Sequence, residues 1–179
     1  MKFTPTPLAG AAVVDLTTIS DERGYFGRVW VEEDGERAGY PSRWVLTSVS
    51  YNTKAGTLRG MHLQLPPHAE IKLVRCIRGA IHDVIIDLRP DSPTFKKSFG
   101  VELSADNRRA LYIPHGFAHG FVTLTDDAEV FYQLSANHAP QAGRGVRFDD
   151  PVFGIAWPRA VTVINERDRT YPDFTGVLA

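Results

Sequence analysis

One cysteine, two methionines and a net charge of −1 are what these 179 residues are short of. The lone Cys76 excludes a disulfide within the chain, and its place inside an apolar run marks it as a small buried hydrophobe. The near-neutral balance leaves no basic face of the kind a general nucleic-acid binder needs. It still allows a local basic pocket for one phosphorylated ligand. Long hydrophobic runs are also missing. The apolar opening at 8–14 falls well short of the roughly 20 residues a membrane helix requires, and no basic leader precedes it. No membrane partner is therefore expected, and the expected location is the cytoplasm. Extended 3.6-residue periodicity, internal repeats and low-complexity tracts are absent as well.

What the chain does have is a series of short β-type runs. They fall at 43–51, 57–64, 71–77, 80–88, 98–103, 110–113, 120–124 and 129–134. Between them stand "TKAG", "PPHA", "IRGA", "PDSPT", "SADN", "PHGF" and "TDDA", all rich in turn-forming residues. Close, fairly even spacing of this kind predicts an all-β sandwich or barrel. With 43% apolar residues, one core and a single domain over 1–179 are expected. The segment 151–179 mixes Trp157 and Phe174 with Pro and Asp. It reads as an irregular tail packed on the body, with at most a helical turn at "NERDRT".

Several strands carry polar residues where a core wants leucine. In "GTLRGMHLQLPP" (56–67), Leu58, Gly60, His62 and Gln64 share one face and Arg59, Met61 and Leu63 the other. Arg59 and His62 reach one cavity only if the strand bulges, and Gly60 is where a bulge costs least. A lone strand histidine is more often a core histidine bonded to a carbonyl. Lys72, flanked by Ile71 and Leu73, could equally snorkel from an edge strand, and Tyr132 could be a core tyrosine. His119 follows the turn set by Pro114 and Gly116. Taken together, a base, a cation, a phenol and a second imidazole on adjacent strands point to a site. "GTLRGMHLQ" and "PHGFAH" are also similar to the two metal-binding segments of cupins. Two histidines, Gln64 and Glu70 could gather around an ion there, but an amide is a poor transition-metal ligand and no metal is expected.

Six motifs then occur in order: "DERGYF" (21–26), "LRGMHLQ" (58–64), "KLVRCIRG" (72–79), "DVIIDLRPDSPTF" (83–95), "LYIPHGFAHGFVTL" (111–124) and "DPVFGIAWP" (150–158). In this the chain resembles the dTDP-4-dehydrorhamnose 3,5-epimerase family of non-metal cupins, over nearly its whole length. The resemblance implies a cupin-type jelly-roll β-barrel, a homodimer, and a nucleotide-linked 4-keto-6-deoxy sugar as substrate, with no cofactor. It also implies roles. His62 would be the base, Asp168 its orienting carboxylate, Tyr132 the acid on the opposite face, and Lys72 the cation near the keto oxygen. Arg59 and His119 would contact substrate, and Arg23 would reach the partner subunit's ligand.

Departures from the family pattern cluster at positions that serve the nucleotide. Arg28 stands where an acid is usual, Thr47, Ser48 and Val49 replace a Q-x-N stretch, His138 replaces a stacking aromatic, and Gly143 replaces a glutamate. A dTDP-linked sugar stays the default, and these substitutions raise the alternative that a CDP- or GDP-linked sugar binds at least as well. A binding protein without catalysis is the competing class; loss of His62, Lys72 or Tyr132 would mark it, and all three are present.

Overall fold

Alternating strong β-formers build the strands, and the computed structural model describes them over residues 1–176 and 178. In chain order they are β1 (Lys2–Pro5), β2 (Ala12–Asp15), β3 (Thr18–Asp21), β4 (Gly24–Gly27), α1 (Glu32–Arg37), β5 (Leu46–Asn52), β6 (Leu58–Gln64), β7 (Lys72–Arg78), β8 (Ala80–Asp87), β9 (Ser98–Ser104), β10 (Ala110–Ile113), β11 (Phe117–Thr123), β12 (Ala128–Leu134), β13 (Gly143–Gly145) and α2 (Glu166–Arg169). A six-stranded sheet runs β1-β2-β10-β7-β12-β5 and a five-stranded sheet runs β13-β6-β11-β8-β9. Facing one another, they form the jelly-roll expected from the sequence. The hairpin β3-β4 stands apart as its own two-stranded sheet.

The core lies between the two large sheets. Val74, Cys76, Ile81, Ile85, Leu111, Ile113, Phe117, Phe121 and Val130 fill it from both sides. Burying each of the larger side chains contributes about 1.5–3 kcal/mol. The outer face of the five-stranded sheet is covered by the C-terminal tail, where Met61, Leu63, Val84 and Ile86 pack with Phe153, Trp157 and Phe174. One patch on the outer face of the six-stranded sheet, around Leu73 and Tyr112, is capped by Phe3, Trp30, Tyr40 and Trp44. The rest of that face leaves Val49, Tyr51 and Ile77 exposed.

One difference from the sequence reading and one agreement with it matter for function. β11 starts at Phe117, three residues before the expected 120, because pairing with β8 begins directly after Gly116, at Phe117↔Asp87. His119 therefore projects from a regular strand and not from a turn. The expected bulge at Gly60 is present. His119 pairs with His62 and Phe121 with Arg59, so one extra residue is accommodated on β6. Gly60 has φ +134°, and a Cβ there would lie 2.5 Å from the Gly120 Cα. Only glycine fits a backbone approach that close.

β1 to β4, β13 and α1 were not expected. Helix α1 is six residues long, too short to show a periodicity. Its signals are electrostatic: Glu32, Glu33 and Asp34 in the first turn and Arg37 in the last, each complementing the helix dipole. The single turn α2 is the one at "NERDRT". Asn165 caps it by accepting the Asp168 N–H at 2.7 Å.

Candidate active site

Where the core's apolar residues give way to polar ones, the space between the sheets opens into a cavity of about 480 Å³. Arg59, His62, Glu70, Lys72, His119, Tyr132, His138 and Asp168 all line it. Strand alternation explains most of this convergence. Lys72 continues the inward row of Val74 and Cys76, and Tyr132 continues that of Val130. His119 stands between the inward Phe117 and Phe121. The bulge at Gly60 brings Arg59 and His62 to the same cavity despite their opposite parity.

Asp168 is the best-anchored charge in the site. Its side chain is 1% exposed, and Oδ1 lies 2.6 Å from His62 Nε2. Oδ2 accepts the Gly60 N–H at 3.1 Å. Burial pushes this carboxyl up. The hydrogen bonds from His62 and Gly60 and the charges of His62 and Arg167 outweigh that and hold it below the ordinary carboxylate value. The ionised carboxylate accepts from Nε2–H, so the other ring nitrogen, Nδ1, is the one left to act as a base.

A second imidazole–carboxylate pair sits deeper. His119 Nε2 is 2.8 Å from Asp83 Oδ1, with side-chain exposures of 5% and 0%. The other Asp83 oxygen, Oδ2, has no hydrogen-bond partner among the described residues. The Tyr132 ring stands edge-on to His119, at 6.2 Å between centroids. Burial raises the Tyr132 phenol well above its ordinary range, the Asp83 charge acts the same way, and Arg59 pulls it back. Tyr132 is thus a neutral phenol. Lys72 Nζ pairs with Glu70 Oε1 at 3.1 Å and reaches the His62 carbonyl at 3.4 Å. Arg59 differs from Lys72: its partners are neutral, Asn52 Oδ1 at 2.8 Å and the Tyr51 carbonyl at 3.4 Å.

Seven of the eleven site residues read from the sequence meet here: His62, Lys72, Tyr132, Asp168, Arg59, His119 and His138. The other four do not reach this cavity within one chain. Arg23 sits on the β3-β4 hairpin and pairs with Asp21. Arg28 lines a separate small pocket with Met1, Thr17 and Asp34. Thr47 and Val49 lie on β5 opposite Gln133 and Phe131, whereas Ser48, opposite Tyr132, faces inward and lines the cavity in their place. Alternation forces this: neighbouring residues of a strand face opposite ways. Gln64, weighed as a metal ligand, is committed elsewhere. Its amide donates to Glu70, His68 and Asn137, and its oxygen accepts the Ala139 N–H at 2.6 Å.

The sequence reading missed Asp83 and left Glu70 without a role beside Lys72. Both were within reach of the same logic. Asp83 shares strand parity with Ile81 and Ile85, an ionisable group in an apolar row, and Glu70 sits two residues before Lys72.

Comparison with known proteins is consistent with this geometry. Residues 5–176 match the family model described as dTDP-4-dehydrorhamnose 3,5-epimerase. The chain is 39% identical over 173 residues to the dTDP-4-dehydrorhamnose 3,5-epimerase of Sinorhizobium fredii, covering 96% of this chain and 89% of that one. Against the protein of the same name from Methanothermobacter thermautotrophicus it is 40% identical, covering 95% and 92%. The Bacillus anthracis dTDP-4-dehydrorhamnose 3,5-epimerase, crystallised with TDP and PPi, superposes with a TM-score of 0.93 at 39% identity, covering 97% of this chain and 99% of that one. A 3'-monoepimerase from Streptomyces bikiniensis in complex with dTDP-quinovose superposes at 0.87 with 33% identity, covering 94% and 86%.

The depressed carboxyl of Asp168 has a signed consequence. A carboxyl whose folded value lies below its unfolded one stabilises the fold above the unfolded value, about 4, and loses that contribution as pH falls through the folded one. Asp168→Asn should therefore be clearly less stable than the parent protein at pH 7, with the gap narrowing below about pH 4. Urea unfolding across pH measures it; a gap independent of pH would show that the carboxylate charge is not what matters.

Proposed function

Because this chain belongs to the dTDP-4-dehydrorhamnose 3,5-epimerase family, we propose that the cavity between its sheets is where a dTDP-linked 4-keto-6-deoxy sugar is epimerised, with His62, Lys72 and Tyr132 as the reacting groups. The protein is an isomerase that inverts C3, C5 or both in such a sugar. The observation that carries the assignment of residues is their placement. His62 projects from β6 of the five-stranded sheet, while Tyr132 and Lys72 project from β12 and β7 of the facing sheet. A ring lying between the sheets meets a base on one side and a proton donor on the other, which is what inversion demands.

The C4 ketone acidifies the protons on C3 and C5. His62 Nδ1 removes one, and the electron pair moves into the enolate, whose oxygen needs a fixed positive charge. Lys72 supplies it. Glu70 holds the ammonium in place, and the ammonium also reaches the backbone of the base itself. Asp168 balances the imidazolium as it forms, the logic of a hydrolase triad without the nucleophile. Tyr132 then delivers a proton to the opposite face of the carbon and the ketone is restored. Electrons balance within the substrate. Arg59, whose charge no carboxylate among the described residues neutralises, is placed to meet the diphosphate.

Residues 1–179 act in this reading as one domain, and two copies form the working unit. Val49, Tyr51 and Ile77 on the six-stranded sheet, with Ile19 and Phe26 on the hairpin, are exposed apolar residues that a second copy would cover. Arg23, Arg28, Thr47 and Val49 lie on these outer elements, so pairing of two chains is the route by which they would approach a ligand. A single, buried thiol suits a reducing compartment, and among the described residues no helix is long and apolar enough to cross a membrane. We place the protein in the cytoplasm on that basis.

Incubation with the 4-keto sugar nucleotide in D2O, read by NMR at C3 and C5, tests the roles. His62→Ala should lose exchange at both carbons by about 10²–10⁴-fold. Tyr132→Phe should keep exchange while slowing inversion; an equal fall in both would make Tyr132 part of enolate formation. Full activity of His62→Ala would defeat the assignment. For assembly, sedimentation at micromolar concentration should give a dimer, and a monomer counts against the shared site. The base is decided by calorimetric titration of dTDP, CDP, GDP and UDP. Of the residues whose replacement suggested another base, only Ser48 and His138 line this chain's cavity, and a relative is crystallised with TDP, so dTDP is expected to bind best. CDP or GDP binding as tightly would restore the alternative.

A further inference from the structure

We propose that Tyr171, which stands outside the sugar cavity, is a positioning residue that fixes the His62 ring from behind. The proposal rests on the reading of His62 as the base. Asp168 holds that ring at a single atom, Nε2, at 2.6 Å. One hydrogen bond leaves the imidazole able to swing about the contact, and 40% of its side chain is open. A base must present Nδ1 to a particular carbon, so a second constraint is required.

Tyr171 provides one. Its ring lies edge-on to the imidazole, with centroids 6.3 Å apart and planes at 69°. The space it occupies is made by Gly145, the β13 residue paired directly with His62. A Cβ at Gly145 would lie 2.3 Å from the Tyr171 Cζ and 2.6 Å from its hydroxyl oxygen. The ring thus sits where any other residue would carry its side chain. Arg167 Nε donates to the Tyr171 hydroxyl at 2.8 Å and fixes the far end. Asp168, Arg167 and Tyr171 all belong to α2 or follow it directly, so one short segment carries both the carboxylate and the wall.

The phenol itself takes no part in the chemistry. Tyr171 lines a neighbouring cavity on the far side of β13, with Gly143, Val146 and Phe174, and does not line the cavity of Lys72 and Tyr132. Burial raises its hydroxyl above the ordinary value, with Arg167 acting against this, so it remains a neutral acceptor for the guanidinium.

Gly145→Ala is the most direct test, because it evicts the ring without removing it. The atoms in the way are the far end of a flexible side chain, so the fold should survive, which a melting curve checks. Gly145→Ala and Tyr171→Ala should each lower kcat by about ten- to a hundredfold with KM little changed. Tyr171→Phe keeps the ring and should restore near-parental kcat. The His62 ring signals in ¹⁵N-histidine NMR should shift or broaden in the first two variants and stay parental in the third. Parental kcat and unchanged His62 signals in both Gly145→Ala and Tyr171→Ala would overturn the proposal. His62→Ala separates the two readings: if it retains activity the base assignment falls, and if it is inactive while Tyr171→Ala is normal, only the positioning role falls.

Discussion

The buried carboxylate of Asp168 is the contact on which the site's geometry depends. A charge that is 1% exposed costs several kcal/mol to desolvate unless it is well partnered. Its partners come from far along the chain: His62 and the Gly60 N–H on β6, more than a hundred residues earlier. Meeting them ties the C-terminal segment to the five-stranded sheet. It also accounts for the local structure on both sides. Asn165 caps a single helical turn that turns Asp168 inward, and the bulge at Gly60 brings its N–H and His62 to the two carboxylate oxygens.

Charge inside the barrel follows one pattern. His62 is matched by Asp168, His119 by Asp83, and Lys72 by Glu70, at 2.6, 2.8 and 3.1 Å. Such pairs are weak evidence for stability, since desolvation consumes most of the attraction. Their value is orientation, with each cationic or basic group presented to the cavity from a fixed carboxylate behind it. Arg59 is the exception: it is bound by the neutral oxygens of Asn52 and Tyr51, and no carboxylate among the described residues neutralises its charge. A diphosphate brings its own negative charge, whereas a sugar ketone acquires it only as the enolate forms. The two cations, one unneutralised and one paired, match that difference.

The outer surfaces divide in the same functional way. The tail seals one sheet, and an aromatic group of Phe3, Trp30, Tyr40 and Trp44 seals part of the other. What stays open is the β5 side of the six-stranded sheet and the hairpin, where exposed Val49, Tyr51, Ile19 and Phe26 are concentrated. An edge strand with apolar residues on its outer face is a liability for a lone chain, which is why the proposed dimer is seated there.

Local pattern was enough to specify the all-β class, eight of the strands, and the unusual polar residues within them. His62, Lys72 and Tyr132 were legible because each is a polar group within a β-type run, which needs only neighbouring residues to be seen, and His119 because it follows a turn set by Pro114 and Gly116. The order of six motifs made the family resemblance legible in the same one-dimensional way. Three things depended on the folded chain. The contact between Asp168 and His62, implied by the family resemblance but by no local spacing, is made by the tail's path across the sheet. The opposite facing of Ser48 against Thr47 and Val49 follows from which side of β5 meets the core, a matter settled by its pairing with β12. Tyr171, in an irregular tail with no period to break, gains meaning only from Gly145 on another strand, because the space left by an absent side chain exists only once the two segments are side by side.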